Sequence, residues 1–164
     1  MAAPVEIAPV PSRGGRDLTD LFRLGVLALA AAGVAGAVYE LAAERHWGET
    51  AKNVPWVAVA VLAVAVGTAF GSSRRLVLLT RVLAVLVLGA SLYGIAIHVL
   101  ENMHSGHLGP LYGPEFKQFP RIERLWFGVT KTVGVAPPLA PGMLGQSALL
   151  VLLGTLGRGD VRDR

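Results

Sequence analysis

The stretch LVLLTRVLAVLVLGASLYGIAIHVL, residues 76–100, decides the fold, because its one permanently charged side chain, Arg81, lies near its start. About 20 mostly apolar residues are enough for a helix to cross the hydrocarbon core of a bilayer. Three further apolar runs follow the same pattern, at residues 21–43, 54–70 and 139–156. The sequence therefore predicts an all-α fold, an integral membrane four-helix bundle that occupies residues 17–157.

The composition favours the same class of protein. Hydrophobic residues make up 53% of the chain and charged residues only 16%, whereas soluble domains carry about 25% charged residues. There is no cysteine, which excludes disulfides, thiolate metal sites and iron–sulfur clusters. The basic residues stand in short groups beside the apolar runs, so the bilayer is the expected partner and nucleic acid is not.

The segments outside the spans are short. Residues 1–16 and 158–164 are expected to be cytoplasmic tails, the first of them flexible, and residues 71–75 a tight turn that makes a hairpin of the second and third spans. Residues 122–133 mix apolar and charged side chains and are too short to span. An amphipathic helix that lies in the membrane interface is predicted there.

The basic residues set the expected orientation. With four spans, both termini lie on one side, together with nine arginines: Arg13, Arg16, Arg23, Arg74, Arg75, Arg81, Arg158, Arg162 and Arg164. The opposite side has six basic residues: Arg45, Lys52, Lys117, Arg121, Arg124 and Lys131. Because cytoplasmic loops carry the excess of Lys and Arg, both termini are predicted to be cytoplasmic.

A group of potential metal ligands follows the third span. It consists of His98, Glu101, Met103, His104 and His107. Imidazole and carboxylate groups suit zinc or copper, and a thioether suits cuprous ion. One hypothesis is a metal site, or a haem axial ligand, at the outer mouth of the bundle. The alternative is that these are ordinary polar residues where a helix end enters a wet loop.

Four polar residues form a second candidate site, a small pocket that opens outward: Glu40, His98, Asn102 and Gln146. Ionisable groups inside a span are costly and usually have a partner or a water-filled cavity. Alternatively, Glu40 extends to the headgroups. Gln146 lies in the middle of the fourth span, where its amide is expected to hydrogen-bond another helix.

Small residues offer surfaces for helix packing. Gly67 and Gly71 form a GxxxG pair in the second span, and the first span has Ala28, Ala32 and Gly36 at four-residue spacing. In lipid, helices associate where small residues let their backbones approach closely. These faces predict either a compact bundle or contact with a membrane-protein partner or a second copy of the chain.

Two motifs in the C-terminal half resemble a family of small, uncharacterised four-span bacterial membrane proteins. One is His98-x3-Asn102 followed by Gly-Pro-Leu at 109–111, and the other is APPLAPG at 136–142, before Gln146 and a leucine-rich span. The resemblance implies a four-span layout in a bacterial inner membrane and brings no activity, cofactor or partner with it. The charged C-terminal tail, with only arginine and aspartate, departs from the family's pattern.

Three functions are therefore considered. The sequence has no nucleophile elbow, Walker loop, HExxH or dinucleotide fingerprint, so a non-enzymatic accessory or structural subunit, with no required cofactor, is preferred. The second is an outward-facing metal- or haem-binding protein that uses the His98–His107 group. The third is a small oligomeric transporter or proton channel built around Glu40 and His98.

Overall fold

The computed structural model describes residues 14–48 and 50–158, and the side chains from 18 to 48 and from 53 to 158. In this part of the chain all regular structure is helical, as predicted. Five α-helices and two 3-10 turns follow one another: α1 (Gly14–Ala43), α2 (Thr50–Thr68), α3 (Arg74–Ser105), the turns Gly106–Leu108 and Gly113–Gln118, α4 (Arg121–Val129) and α5 (Leu139–Gly154).

The helix ends differ from the predicted bounds for local reasons. α1 begins at Gly14, inside the stretch expected to be a tail, while residues 1–13 and 159–164 lie outside the described residues. α3 continues past residue 100 to Ser105, because no glycine or proline interrupts it before Gly106. The interfacial helix ends at Val129 rather than at 133, since Lys131 turns the backbone to a φ of 55°.

The hairpin between α2 and α3 forms as the sequence predicts. The Ser73 hydroxyl accepts a hydrogen bond of 3.3 Å from the backbone N–H of Leu76 and so caps α3 with one of the residue types that favour that position. Thr80 on α3 also donates to the Thr68 hydroxyl on α2, at 2.8 Å. These contacts fix the two helices side by side immediately after the turn.

Four helices pack as a ring in the order α1, α2, α3 and α5, with α2 and α5 also in contact. Each contributes one alanine that is 0% exposed: Ala30, Ala65, Ala84 and Ala148. Larger core residues such as Leu27, Leu62 and Val151 fill the space between them. Small side chains on every helix let the four backbones approach closely, which is how helices associate in lipid.

Glycines mark the closest approaches of α5 to its neighbours. A Cβ atom at Gly145 would overlap the Ser91 side chain of α3, and one at Gly33 of α1 would overlap Ser147. Gly67, by contrast, has no atom within 4 Å of the place a Cβ would take. The bundle is therefore closed by glycines on α1 and α5, while the first glycine of the GxxxG pair in α2 faces open space.

Two of the helices are long and apolar enough to cross a membrane, over Leu18–Ala43 and Arg74–Leu108. In the most apolar window of each, only 22% of the residues are buried within the protein. The apolar helices over Asn53–Thr68 and Leu139–Gly154 are shorter. Most of the hydrophobic surface of the two long helices therefore faces away from the bundle.

Candidate polar sites at the two ends of the bundle

Asn102 fastens the loop before α5 to the end of α3. Its side chain is 0% exposed. The Nδ2 group donates to the carbonyls of Gly128, at 3.0 Å, and Ala136, at 2.8 Å. The Oδ1 atom accepts from the N–H of Ala136 at 3.0 Å. The buried amide is thereby satisfied on both of its ends, as enclosed polar groups need to be.

His98 and Ser91, on the same side of α3, bind that loop and the first turn of α5, respectively. His98 Nδ1 lies 2.9 Å from the carbonyl oxygen of Pro137. Because a carbonyl can only accept, Nδ1 carries the proton in this bond. The Ser91 hydroxyl donates to the carbonyl of Pro141. The Pro137 carbonyl also accepts the N–H of Ala140 at 3.2 Å, so α3 adds side-chain donors to a proline-rich segment that has few N–H groups of its own.

The two sequence motifs at 98–102 and 136–142 are therefore the two halves of one contact. His98 and Asn102 bind the backbone of the proline turn, and this turn leads directly into α5. Sequence analysis singled out both motifs and did not join them, because residues so far apart in the chain share no visible spacing. This contact gives His98 and Asn102 a role in positioning α5.

The proposed metal ligands divide into separate groups. Met103, His104 and His107 line one cavity, and His107 Nδ1 donates to the backbone carbonyl of His104 at 2.8 Å. Glu101 is exposed, and His98 is bonded to the proline turn. Within residues 14–48 and 50–158, no three histidine or acidic side chains converge in a way that could hold a metal ion. The structure thus places three of the five predicted ligands, Met103, His104 and His107, around one cavity.

The polar-pocket residues are also distributed among different surroundings. Asn102 is enclosed, whereas Gln146 lies exposed on the outer face of α5, so these two share no pocket. Glu40 is half-buried near the end of α1, and its carboxylate makes no hydrogen bond to a described residue. A site that unites Glu40 with His98 is therefore not formed by hydrogen bonds in this part of the chain.

The cavity beside His104 and His107 is a site that sequence analysis did not assemble. It has a volume of about 420 Å³. Its walls come from the end of α3, the turn Gly113–Gln118 and α4: Leu100, Met103, His104, His107, Phe116, Lys117 and Arg124. The Nε atom of Arg124 is buried and has no hydrogen-bond partner. Every polar side chain in this lining is basic or an imidazole.

Aromatic packing holds that cavity open between its walls. Phe116, 1% exposed, lies against Gly106, where a Cβ atom would overlap its ring. Phe119 packs edge-on against Phe127 of α4 at 5.9 Å between centroids, and Tyr112 stacks on Phe127 at 5.1 Å. These rings fix α4 relative to the 3-10 turn and so fix the positions of the basic side chains.

Three arginines gather at the opposite end of the bundle. Arg23 of α1 donates from Nε to the carbonyl of Gly154 at 3.0 Å and from Nη2 to that of Ala69. Arg158 donates to the carbonyls of Ala69, at 3.1 Å, and Gly71, at 2.7 Å. The backbone carbonyls at a helix C-terminus lack partners within the helix. These two guanidinium groups supply partners where α2 and α5 end.

The third of these, Arg81, completes the cap on α5. It donates to the carbonyl of Thr155 at 2.8 Å and to its hydroxyl at 3.2 Å. Cations are favoured at helix C-termini, which carry partial negative charge. Sequence analysis counted Arg23, Arg81 and Arg158 only as topology signals. The available clue was that each stands within one or two turns of the same end of a different apolar run.

Comparison with known protein families, curated proteins and solved structures finds no match to this chain. The family resemblance carried by the motifs at 98–111 and 136–142 therefore stays a prediction. The function is inferred from the residues of the chain itself and from their contacts.

Proposed function

We propose that the chain is a multi-pass protein of a bacterial cytoplasmic membrane and serves there as a non-enzymatic accessory or structural subunit. The observation that carries this proposal is the outward-facing apolar surface of the two long helices, with 22% of each central window buried. The core helix of a soluble protein is largely covered, and monomeric soluble proteins rarely expose apolar patches beyond a few hundred Å². Lipid solvates such a surface without cost.

The orientation of α4 supports the same environment. Its residues Ile122, Leu125, Trp126 and Val129 are exposed along one stripe, while Gly128 packs against Val99 and Met103 of α3. The apolar stripe of a surface helix in a soluble protein faces the core. In α4 it faces away, which fits a helix whose outer side lies in the headgroup and acyl boundary.

The arginine caps on the shorter helices support the proposal of four spans. α5 has 16 residues and a length of about 24 Å, less than the roughly 30 Å of a hydrocarbon core. Arg23, Arg81 and Arg158 place charged groups where α2 and α5 end. Their apolar stems let the charges reach the interface although the helices are short. Exposed Arg74 and Arg75 lie at this same end, and this excess of basic residues supports its placement in the cytoplasm.

Association through helices is proposed from Gln146. Its amide lies exposed in the middle of α5 and makes no hydrogen bond to a described residue. An amide that faces hydrocarbon gains from a hydrogen bond with another helix. The exposed neighbours Met143, Leu149 and Leu153 continue one stripe with it. We infer that this stripe of α5 contacts a partner helix, and that a second copy of the chain provides the simplest partner.

The experiment is crosslinking and native mass spectrometry in mild detergent. Wild-type protein is expected as a dimer or in complex with a membrane partner, and Gln146→Leu is expected to weaken that association about threefold to thirtyfold, since such bonds contribute roughly 0.6–2 kcal/mol. Leu78→Ala, on an exposed face of α3, is the control and should leave it unchanged. A wild-type chain that is strictly monomeric and recovers no partner would remove the proposal.

A further inference from the structure

We propose that the cavity between the end of α3, the turn Gly113–Gln118 and α4 binds a phosphate group, with Arg124 and Lys117 as its principal ligands. The cavity measures about 420 Å³, which accommodates a phosphate together with part of the molecule that carries it. This inference concerns a ligand of the chain and stands independently of the partner proposed for α5.

The charge of the lining selects an anion. Arg124 and Lys117 bring cationic side chains to the lining, and the imidazoles of His104 and His107 lie beside them. No acidic side chain belongs to this lining. Phosphate oxygens accept several hydrogen bonds at once, and arginine is the residue best shaped to donate two of them in parallel.

The buried Nε atom of Arg124 is the second observation. It is shielded from solvent and has no hydrogen-bond partner, and the side chain makes no ion pair with a described residue. A buried donor without a partner is destabilising, more so when it is charged. The Nε atom lies out of reach of solvent, so an oxyanion in the cavity satisfies this donor only when the Arg124 side chain turns toward it.

The same lining argues against the metal site that the sequence suggested for His104 and His107. A divalent cation between those imidazoles would share the cavity with the positive charges of Lys117 and Arg124, which would repel it. The Glu101 carboxylate, which would offset this repulsion, is not part of the cavity wall. The histidines therefore serve an anion better than a cation.

The apolar part of the wall favours a phosphate that belongs to an amphiphile. Leu100, Met103 and Phe116 lie beside the basic groups in one cavity. An anionic phospholipid would place its phosphate on the cations and its first acyl carbons on these side chains. Free inorganic phosphate would use the cations alone. Both sources share the chemistry, and the binding experiment separates them.

Full-length protein in detergent would be titrated with phosphatidylglycerol by native mass spectrometry and with inorganic phosphate by calorimetry. Arg124→Gln and Lys117→Gln are each expected to weaken binding roughly tenfold or more, because hydrogen bonds to charged groups are the strong ones. The matched control is Arg121→Gln, an exposed position on the same helix that does not line the cavity. The Lys117 side chain is exposed, so its variant folds whether or not Arg124→Gln does.

Saturable binding of phosphatidylglycerol that both variants weaken, and Arg121→Gln does not, would establish a lipid site. Binding of inorganic phosphate with the same variant pattern would establish a soluble phosphate source. Binding of neither probe, equal binding by Lys117→Gln and wild type, or stoichiometric zinc bound through His104 and His107 would each overturn the proposal.

Discussion

At the scale of single residues, Asn102 joins three parts of the chain at the end of the bundle that holds the proline turn. Asn102 bonds to Gly128 at the end of α4 and, through both of its amide atoms, to Ala136 before α5. Because the side chain is fully enclosed and Gly128 is buried, water cannot replace the bond to the Gly128 carbonyl when the amide is removed. The orientation of α4 and the start of α5 therefore depend on one side chain of α3.

The residue-scale prediction is that Asn102→Leu lowers thermal stability strongly. The substitution leaves buried backbone groups of Gly128 and Ala136 without partners, and each such group costs about 1–3 kcal/mol. A melting curve of purified protein in detergent measures the change, with Glu101→Leu, an exposed neighbour, as the control. An unaltered melting temperature for Asn102→Leu would contradict the assigned role.

The sequence indicated that His98 and Asn102 matter and did not indicate how. Residue types at a helix end are equally compatible with a ligand, a pocket or a structural bond, and only the fold shows that the proline turn lies opposite them. For Gln146 the sequence predicted the kind of interaction but not its place on the helix. Its position in an apolar run predicted a hydrogen bond to another helix, but sequence periodicity alone could not say which face of α5 would be left open.

At the scale of helices, the ends of α2 and α5 are stabilised by arginines from elsewhere in the chain. Arg81 donates to both the carbonyl and the hydroxyl of Thr155, and Arg23 binds the carbonyl of Gly154. α5 ends without a basic residue in its own last turn. The carbonyls of Leu152 and Leu153 accept the N–H groups of Thr155 and Leu156, and the arginines add contacts that cross the bundle to the carbonyls that follow.

We therefore expect Arg81→Leu to destabilise the protein by about 1.5–3 kcal/mol, the usual contribution of hydrogen bonds from a charged group. Arg75→Leu, an exposed arginine on the first turn of the same helix, should change stability little. Thermal unfolding of both variants in the same detergent makes the comparison. Equal melting temperatures for the two would show that the cap at Thr155 is not significant.

A second prediction concerns the outer face of α4. Trp126 is 64% exposed on the stripe that we place in the membrane interface. In a Trp47→Phe, Trp56→Phe background its fluorescence should shift to shorter wavelength in vesicles and be quenched by brominated lipid. The matched substitution Leu125→Glu, on the same stripe, should reduce both effects. Emission typical of a tryptophan in water would place α4 away from the membrane.

Helix positions were predictable from hydrophobic runs, since long apolar stretches bounded by turn residues favour helices. The helix ends were less predictable. α3 continues past residue 100 because His98, Glu101 and Asn102 are acceptable in a helix once the proline turn and the surrounding loop receive them. The basic cavity near Arg124 is built from three segments that are separate in the chain, and no local sequence pattern predicts that they come together.

At the scale of the whole molecule, charge and apolar surface are arranged along one axis. One end of the bundle is capped by arginines. The middle carries a belt of exposed apolar side chains, and the other end holds the proline turn and the basic cavity. That order is expected of a protein that crosses a bilayer with its arginines inside. With the arginine end in the cytoplasm, as proposed, the cavity and its proposed ligand belong to the opposite side of the membrane.

The chain has no cysteine, so single cysteines introduced at four exposed positions can report the topology directly. In intact cells, a membrane-impermeant maleimide should label Glu44→Cys and Glu115→Cys, and it should label Ser73→Cys and Leu156→Cys only after the membrane is permeabilised. Labelling of Ser73→Cys or Leu156→Cys from outside, or recovery of the protein in the soluble fraction, would contradict a four-span bundle with its arginine end in the cytoplasm.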